Sequence, residues 1–115
     1  MLDDITATTL HVALSGLAER QRVTADNIAN IQTPGFTAGR VMFEDALRSA
    51  VAGRTPEQAR PSLARSLEPT RLDGNNVNLD HETLSNVDTN LRYQLLLRAL
   101  DGKYGLLHDV IKGGS

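Results

Sequence analysis

The sequence predicts an all-α fold in which two long terminal helices pair as a coiled-coil-like hairpin. Near the N-terminus, apolar residues recur in alternating four- and three-residue steps, which is the spacing of a helix seam. A second leucine-rich stretch with helical periodicity occupies the C-terminal third of the chain. Between them lie three prolines, which exclude a long helix. We therefore expect a helix, an irregular proline-rich middle with one short extended segment, and a second helix.

The N-terminal helix is predicted over residues 4–31. Its seam has apolar residues at both ends and two polar residues, Gln21 and Thr24, in the middle, so it should weaken there. The apolar seam residues are Leu10, Leu14, Leu17, Ile28 and Ile31.

A turn is predicted directly after this helix. The residues concerned are Asn27, Asn30, Thr33, Pro34, Gly35 and Phe36, with the two asparagines three positions apart on one helical face. Pro34 presets φ at the first central position of a type II turn, and Gly35 supplies the positive φ needed at the second. Thr33 precedes a proline and is therefore disfavoured in a helix. This stretch should fix the angle at which the chain leaves the helix.

The middle of the chain reads as mostly irregular. Residues 41–52 are amphipathic and predict one or two helical turns. Residues 53–71 contain Pro56, Pro61 and Pro69, and we interpret them as a linker that either wraps around the molecule or stays disordered.

A dense turn signal precedes the C-terminal helix. It consists of Asp73, Gly74, Asn75 and Asn76. The alternation of Val77 and Leu79 after it suggests a short extended segment, followed by Asp80 as the N-cap of the helix.

The C-terminal helix is predicted over residues 81–111, with two apolar seams. One seam is Leu84, Val87, Leu91 and Leu95, and the other is Tyr93, Leu96 or Leu97, Leu100, Tyr104, Leu107 and Ile111. Three consecutive leucines at 95–97 cover about 200° of the helix circumference. Since one partner helix cannot cover that arc, the helix is either central in a bundle or meets neighbours from other chains. The chain has only one other long predicted helix, so we expect contacts with other chains.

A length of 115 residues predicts one structural domain. We divide this domain into three segments, residues 1–35, 36–80 and 81–115. Only four residues are aromatic and none is Trp, so the core should be thin and should gain from oligomerisation. The net charge is −2, without a basic tract, which argues against a nucleic-acid partner. The first 20 residues do not resemble a Sec signal peptide, and no apolar run is long enough to span a membrane.

Candidate chemistry is weak throughout. The acidic and amide residues from Asp73 onwards do not fit a calcium-binding loop, because Gly74 is second and Glu82 tenth rather than sixth and twelfth. The histidines His11, His81 and His108 are isolated in sequence, and His11 and His108 would approach each other only if the helices pair antiparallel. No nucleophile elbow or phosphate-binding loop is present in the sequence. The polar face of the first helix has balanced charge, unlike a membrane-surface helix. We therefore expect no enzyme activity and no cofactor.

Both motifs resemble those of the bacterial flagellar axial proteins, the rod, hook and related subunits. In that family, the motif at residues 27–36 closes an N-terminal helix that pairs with a C-terminal helix of the same chain. The stretch from Asp73 to Glu82 resembles the signature that precedes the C-terminal helix of a proximal rod subunit, and the short chain length agrees.

The resemblance implies a structural subunit of the proximal rod, built into a helical array that transmits torque from the motor to the distal rod and hook. Implied partners are other rod subunits, copies of the same chain, the basal-body adapter protein at the rod base, and the export gate or MS ring. The implied location is the periplasmic part of the flagellar basal body, reached by type III export of the unfolded chain. We further hypothesise that the monomer gains its helices on assembly.

Two other readings stay open at this point. A soluble helical adaptor or chaperone-like module would be helical at micromolar concentration without partners. A small metal-binding enzyme would show a metal-dependent shift in melting. Neither accounts for both motifs at once.

Overall fold

A computed structural model describes the backbone of residues 2–113 and the side chains of residues 5–102. The seam positions Tyr104, Leu107 and Ile111, as well as His108, lie outside the described side chains. The molecule is long and flat, measuring 67 × 26 × 14 Å. Its elements in chain order are α1 (Leu2–Ala29), β1 (Gly39–Met42), α2 (Glu44–Ala52), a 3-10 turn (Pro56–Gln58), β2 (Ser62–Arg65) and α3 (Leu79–Gly113).

The prediction of an all-α fold built from a terminal helical hairpin is wrong. Strands β1 and β2 form a two-stranded antiparallel sheet, in which Gly39 lies opposite Arg65 and Met42 lies opposite Ser62. Strand β2 falls in the segment predicted to be a linker, because prolines that exclude a helix still permit an edge strand. Pro61 directly precedes that strand, so the missing N–H lies outside the ladder. The segment predicted to be extended, residues 77–79, forms no strand, and α3 begins at Leu79.

Helices α1 and α3 contact each other, but not as a coiled coil. Gln21 of α1 hydrogen bonds to Asn90 of α3, and Asn27 of α1 hydrogen bonds to Glu82 of α3. From the first contact to the second, the α1 residue moves forward from 21 to 27, while its partner in α3 moves back from 90 to 82. The two helices therefore run antiparallel. Polar side chains make both of these contacts, whereas a coiled coil would place apolar residues along the whole seam.

The core lies where the middle segment packs on α1. Leu17, Val41 and Phe43 form its buried centre, and Tyr93 and Leu96 of α3 close it from the other side. Gly16 allows this packing, because a Cβ atom on that residue would lie 2.6 Å from two ring atoms of Phe43. The middle segment therefore supplies the central aromatic side chain of the core.

One arginine ties β1 and α2 to α1. The guanidinium of Arg20 forms two hydrogen bonds to the carboxylate of Glu44, at 2.7 and 2.8 Å, and donates to the Val41 carbonyl at 2.7 Å. It also lies over the Phe43 ring, 4.9 Å from the ring centre. The hydrogen bonds from Arg20 lower the pKa of the Glu44 carboxyl from 4.5 to about 2.

Candidate assembly site

The two sequence motifs meet in space at one end of α1. The amide N–H of Gly35 donates to the Asp73 carbonyl at 2.8 Å, and the Asn76 amide donates to the Phe36 carbonyl at 3.2 Å. We call this region the asparagine junction; it comprises Asn27, Asn30, residues 33–40, residues 71–78 and Glu82. It brings together the end of α1, the start of β1 and the start of α3.

The predicted turn is present. The Phe36 amide donates to the Thr33 carbonyl at 3.2 Å, and Gly35 has a φ of 74°, as a type II turn requires. Gly74 also has a positive φ, of 84°. A Cβ atom on Gly74 would lie 3.2 Å from the Cα of Gly35, so two glycines allow the two motifs to touch.

Asn75 satisfies the backbone where α1 ends. Its Nδ2 donates to the carbonyls of Asn30 and Thr33, both at 2.8 Å, and its Oδ1 accepts from the Val77 amide at 2.8 Å. The side chain of Arg71 donates to the Ile31 carbonyl. Carbonyls at a helix end lack hydrogen-bond donors within the helix. Here the side chains of Asn75 and Arg71 donate the missing hydrogen bonds.

Asn76 performs the same task for the strand that follows. Its Oδ1 accepts from the Ala38 amide at 2.7 Å, and its Nδ2 donates to the carbonyls of Ser66 and Glu68 at 3.2 and 3.1 Å. The side chain is 4% exposed. It therefore links the start of the sheet to the loop that leaves β2.

Asn27 bonds the start of β1 much as a neighbouring strand would. Its Oδ1 accepts from the Gly39 amide at 2.9 Å, and its Nδ2 donates to the Gly39 carbonyl at 3.0 Å. The same Nδ2 donates to Oε2 of Glu82 at 3.1 Å. Because Asn27 is fully buried, its amide must find these partners inside the protein.

Glu82 carries a buried negative charge into this network. Its Oε1 accepts from Nη1 of Arg40 at 2.7 Å, while the Glu82 side chain is only 1% exposed. Among the described residues, Nη2 of Arg40 is buried without a hydrogen-bond partner. The first turn of α3 is thus fastened to both α1 and β1 by a charge pair and an amide.

Two predictions at helix ends need correction. The helix α1 ends at Ala29, so Asn30 lies just beyond it, where its Oδ1 accepts from the Thr33 hydroxyl at 3.0 Å. The N-cap of α3 is Asn78 rather than Asp80, because Asn78 Oδ1 accepts from the His81 amide at 3.1 Å. The helix begins two residues earlier than the sequence predicted, which moves the cap with it.

The other predicted positions divide by burial. Val77 is buried in the junction, whereas Pro34 is exposed and Leu79 is half exposed. The predicted packing residues of the N-terminal seam are buried or half-buried, namely Leu10, Leu14, Leu17, Ile28 and Ile31, although Ile31 lies beyond the end of α1. In α3, Leu100 is buried, whereas the first predicted seam lies exposed, namely Leu84, Val87, Leu91 and Leu95.

Sequence reasoning missed the roles of three charged residues, Arg40, Arg71 and Glu82. Glu82 could be placed only in the first turn of a helix, and neither arginine stands out among the arginines spread along the chain. Their roles depend on partners far away in the sequence, so no local pattern marks them. In the finished junction, most side-chain polar atoms bond backbone groups, which suits the site to holding a shape rather than to chemistry.

Metal ligands and membrane-spanning helices were also sought among the described residues. No group of three or more His, Asp or Glu residues among them is placed to hold a metal ion. Within the same part of the chain, no helix combines the length and apolar character needed to cross a bilayer.

Comparison with known proteins identifies the family. A family model described as flagella basal body rod protein matches residues 9–37. The flagellar basal body rod protein FlgB of Escherichia coli is 32% identical over 90% of each chain, and that of Salmonella typhimurium is 33% identical over the same shares. FlgB of Bacillus subtilis is 29% identical over 92% of each chain. The chain therefore belongs to the FlgB family of flagellar basal body rod proteins and is a structural subunit of the proximal rod.

Proposed function

We propose that this subunit assembles into a helical array that transmits torque, and that the asparagine junction gives each copy the same shape. The observation that carries the proposal is the capping of α1 by Asn75, which lies 45 positions away from Asn30. The end of α1 and the start of α3 are thereby held by the same short loop. A regular array requires one fixed relation between the two helices in every copy, since any spread would disrupt its symmetry.

We propose that the exposed stripe of α3 packs against neighbouring rod subunits. The stripe is Leu84, Val87, Leu91 and Leu95, whose exposed fractions lie between 55% and 71%. Steps of three, four and four residues place the side chains on one helical face. Exposed apolar patches of this kind are typical of protein interaction sites. The neighbours are copies of this chain and other rod subunits, and we extend the proposal to the adapter protein at the rod base and the export gate or MS ring.

The stripe can be tested in cells by replacing Leu84 and Leu91 together with serine. We expect the variant chain to be absent from purified basal bodies and swimming in soft agar to be lost, because the exposed face no longer packs. The matched control is Leu63→Ser on β2, which is 57% exposed and lies outside the stripe. Full motility and normal incorporation of the double variant would contradict the proposed role of the stripe.

We also propose that the chain is exported unfolded and completes its helices only on assembly, with the three sequence segments acting as one domain. Support comes from the small core, centred on Leu17, Val41 and Phe43, and from the apolar residues that α3 leaves uncovered. Far-UV circular dichroism should show weak helicity for the isolated chain, rising with concentration or with added rod subunits. A cooperative melt that does not depend on concentration would reject this proposal and favour a helical adaptor.

A further inference from the structure

The exposed stripe of α3 lies on the side of the helix that faces away from α1. The buried positions Glu82, Thr89 and Leu100 of α3 have exposed fractions of 1%, 1% and 7%. At about 100° per residue, these three positions share one side of the helix, and the four stripe residues share the opposite side. The elements β1, α2 and the 3-10 turn pack mainly on α1. Within the described part of the chain, no other element therefore covers the stripe.

Two residues of opposite charge mark the ends of the stripe. Asp80 precedes its first residue by four positions, and Arg98 follows its last residue by three. Asp80 and Arg98 are 18 positions apart, about five full turns, so they lie at the same angle around the helix and about 27 Å apart along it. Both side chains are exposed, and neither has an ion-pair partner among the residues with described side chains. Arg98 does not pair even with Asp101, about one turn further along α3.

The stripe and its end charges are complementary to themselves when two copies of α3 lie antiparallel. In that arrangement Asp80 of each copy lies opposite Arg98 of the other. The apolar residues are paired as well, Leu84 with Leu95 and Val87 with Leu91. The midpoint of every pair falls at position 89 or between positions 89 and 90, so a single two-fold axis relates them all. Because a two-fold axis makes each contact occur twice, two ion pairs would flank one apolar contact.

The other charges beside the stripe do not oppose this arrangement. Asp88 and Arg92 lie on the flank away from Asp80 and Arg98, and they form an ion pair within α3 at 3.0 Å. Since the two-fold axis passes near position 89, it sets the same pair of the second copy beside them. Two positive and two negative charges then meet on this flank. The axis places His81, on the same flank, near an uncharged part of the second helix around position 97.

A parallel pairing of two stripes lacks this complementarity. It would place Asp80 beside Asp80 of the second copy and Arg98 beside Arg98, and like charges facing each other across an interface are unfavourable. The charges therefore select the antiparallel orientation. The stripe extends over 11 positions, about 17 Å, which is short for a specific interface and typical of a transient contact.

We infer that, before assembly, the stripe of one subunit is covered by the stripe of a second copy in an antiparallel two-fold dimer, with Asp80 of each copy facing Arg98 of the other. Such a contact is closed, because it uses the stripes of both copies and leaves neither for a third. In a helical array, one repeated rotation and translation relates the copies, so equivalent helices all point the same way. The dimer therefore holds free subunits back and must open before a rod neighbour can bind. This inference rests on the proposed role of the stripe and names its occupant before assembly.

Exchanging the end charges tests the pairing in the full-length protein. Sedimentation equilibrium measures the dissociation constant of the dimer, with the same concentration of trimethylamine N-oxide in every sample to favour the folded state. Asp80→Arg and Arg98→Asp each replace two attractive contacts by two repulsive ones, so each should raise the constant about tenfold. The double variant restores both ion pairs with their charges exchanged and should return the constant to within about threefold of that of the unmodified protein.

The matched control is Glu57→Arg, which reverses an exposed charge outside α3 and should leave the dissociation constant unchanged. Single variants that dimerise like the unmodified protein would overturn the inference. A double variant that dimerises no better than the single variants would also overturn it, because only the antiparallel pairing restores the contacts.

Cysteine pairs test the orientation independently of charge, since the chain has no native cysteine. Mild oxidation of mixed Leu84→Cys and Leu95→Cys chains should give a disulfide-linked mixed dimer. Neither variant alone should form one, because the antiparallel pairing keeps the two copies of each position about 17 Å apart. Leu63→Cys, at an exposed leucine outside α3, is the control and should not link to Leu84→Cys. A dimer of Leu84→Cys with itself would show a parallel contact and overturn the inference.

Purified basal bodies separate the inference from the proposed function. We expect the mixed disulfide in the free chains and not in basal bodies, because the array contains no antiparallel contact. A mixed disulfide inside basal bodies would overturn the role of the dimer in holding subunits back. A native chain that enters basal bodies but stays monomeric in solution up to about 1 mM would overturn the inference and leave the rod assignment standing. A native chain that never enters basal bodies would instead contradict the proposed function.

Discussion

Asn27 and Glu82 are separated by 55 positions in the chain, yet the amide Nδ2 of Asn27 donates to Oε2 of Glu82 at 3.1 Å in the protein interior. Each of these residues is 1% exposed. Through Asn27 the pair reaches Gly39, and through Glu82 it reaches Arg40. Two buried side chains therefore join three elements of the chain, α1, β1 and α3. The contribution of these two side chains to stability can be measured.

Asn27→Ala should destabilise the fold by about 2–3 kcal/mol, because it leaves the Gly39 amide and one oxygen of Glu82 buried without a partner, while the Gly39 carbonyl keeps only its bond from Arg40 Nη1 at 3.0 Å. The measurement is urea unfolding followed by far-UV circular dichroism, with trimethylamine N-oxide added equally to all samples to favour the folded state. Asn86→Ala, on the exposed face of α3, is the control and should change stability by less than about 0.5 kcal/mol. If Asn27→Ala and Asn86→Ala lower the unfolding free energy equally, the buried hydrogen bonds of Asn27 stabilise the fold no more than an exposed side chain does.

The charge pair of Arg40 and Glu82 should behave as a unit. Glu82→Gln leaves the half-buried guanidinium of Arg40 without its charge partner, and Arg40→Met leaves the buried carboxylate of Glu82 without its own. Each single change should cost about 3 kcal/mol. The double variant should cost less than the sum of the singles by at least about 1 kcal/mol, because the two residues interact directly. Additive single costs in the same urea assay would contradict the coupling.

The sequence identified local structure better than long-range structure here. The positive φ of Gly35 depends only on the turn that contains it, so the residues themselves predicted it. By contrast, Leu84 was assigned to a packing seam from its periodicity, but it is 71% exposed, while Thr89 on the inner face is 1% exposed. Periodicity detects apolar faces, but the first turns of α3 meet α1 through the polar residues Glu82, Thr89 and Asn90, and apolar contacts begin only at Tyr93.

The sheet was missed for a related reason. Gly39 pairs with Arg65 across a segment that contains prolines and a helix, and β2 is exposed along its whole length. A strand without a buried face shows no alternation of apolar and polar residues. The bonds from Asn27 to Gly39, which hold β1 in place, have no local signature in the sequence.

Two glycine-to-alanine changes in helices should have opposite effects. Gly102→Ala in α3 should stabilise the protein by about 1 kcal/mol, because alanine favours helix and nothing lies within 4 Å of the added methyl group. Gly16→Ala in α1 should destabilise it by about 1–3 kcal/mol despite the same gain in helix propensity, because the methyl group would overlap the buried ring of Phe43.

Urea unfolding of both variants beside the unmodified protein, with the same concentration of trimethylamine N-oxide in every sample to favour the folded state, measures the difference. The two changes add the same group to the same kind of element, so each is a control for the other. A stabilising Gly16→Ala would mean that Phe43 can leave its position at no cost and that the core at α1 is loosely packed.

Acid should weaken the attachment of α2 through Glu44. Its hydrogen bonds with Arg20 lower the pKa of the carboxyl to about 2 in the folded protein, from 4.5 when unfolded. The folded state therefore binds fewer protons at this group than the unfolded state. The stabilisation is fully present above about pH 5, and it is lost as the pH falls from there towards 2. Since the Glu44 side chain is 42% exposed, solvent screening should limit the effect to about 1 kcal/mol.

The free energy of unfolding is measured by urea titration at several values from pH 6 to pH 3, with the same concentration of trimethylamine N-oxide in every sample. Comparing the unmodified protein with Glu44→Gln isolates the contribution of this carboxyl. The difference in unfolding free energy between the two proteins should shrink as the pH falls. Protonation removes the negative charge of Glu44 in the unmodified protein, and the substitution has already removed that charge in Glu44→Gln. Asp45→Asn is the matched control, since Asp45 is 93% exposed and, among the residues with described side chains, pairs only with Arg48, at 3.4 Å. A constant difference between the unmodified protein and Glu44→Gln across this range would show that the contact with Arg20 does not lower the pKa of the Glu44 carboxyl in the folded state.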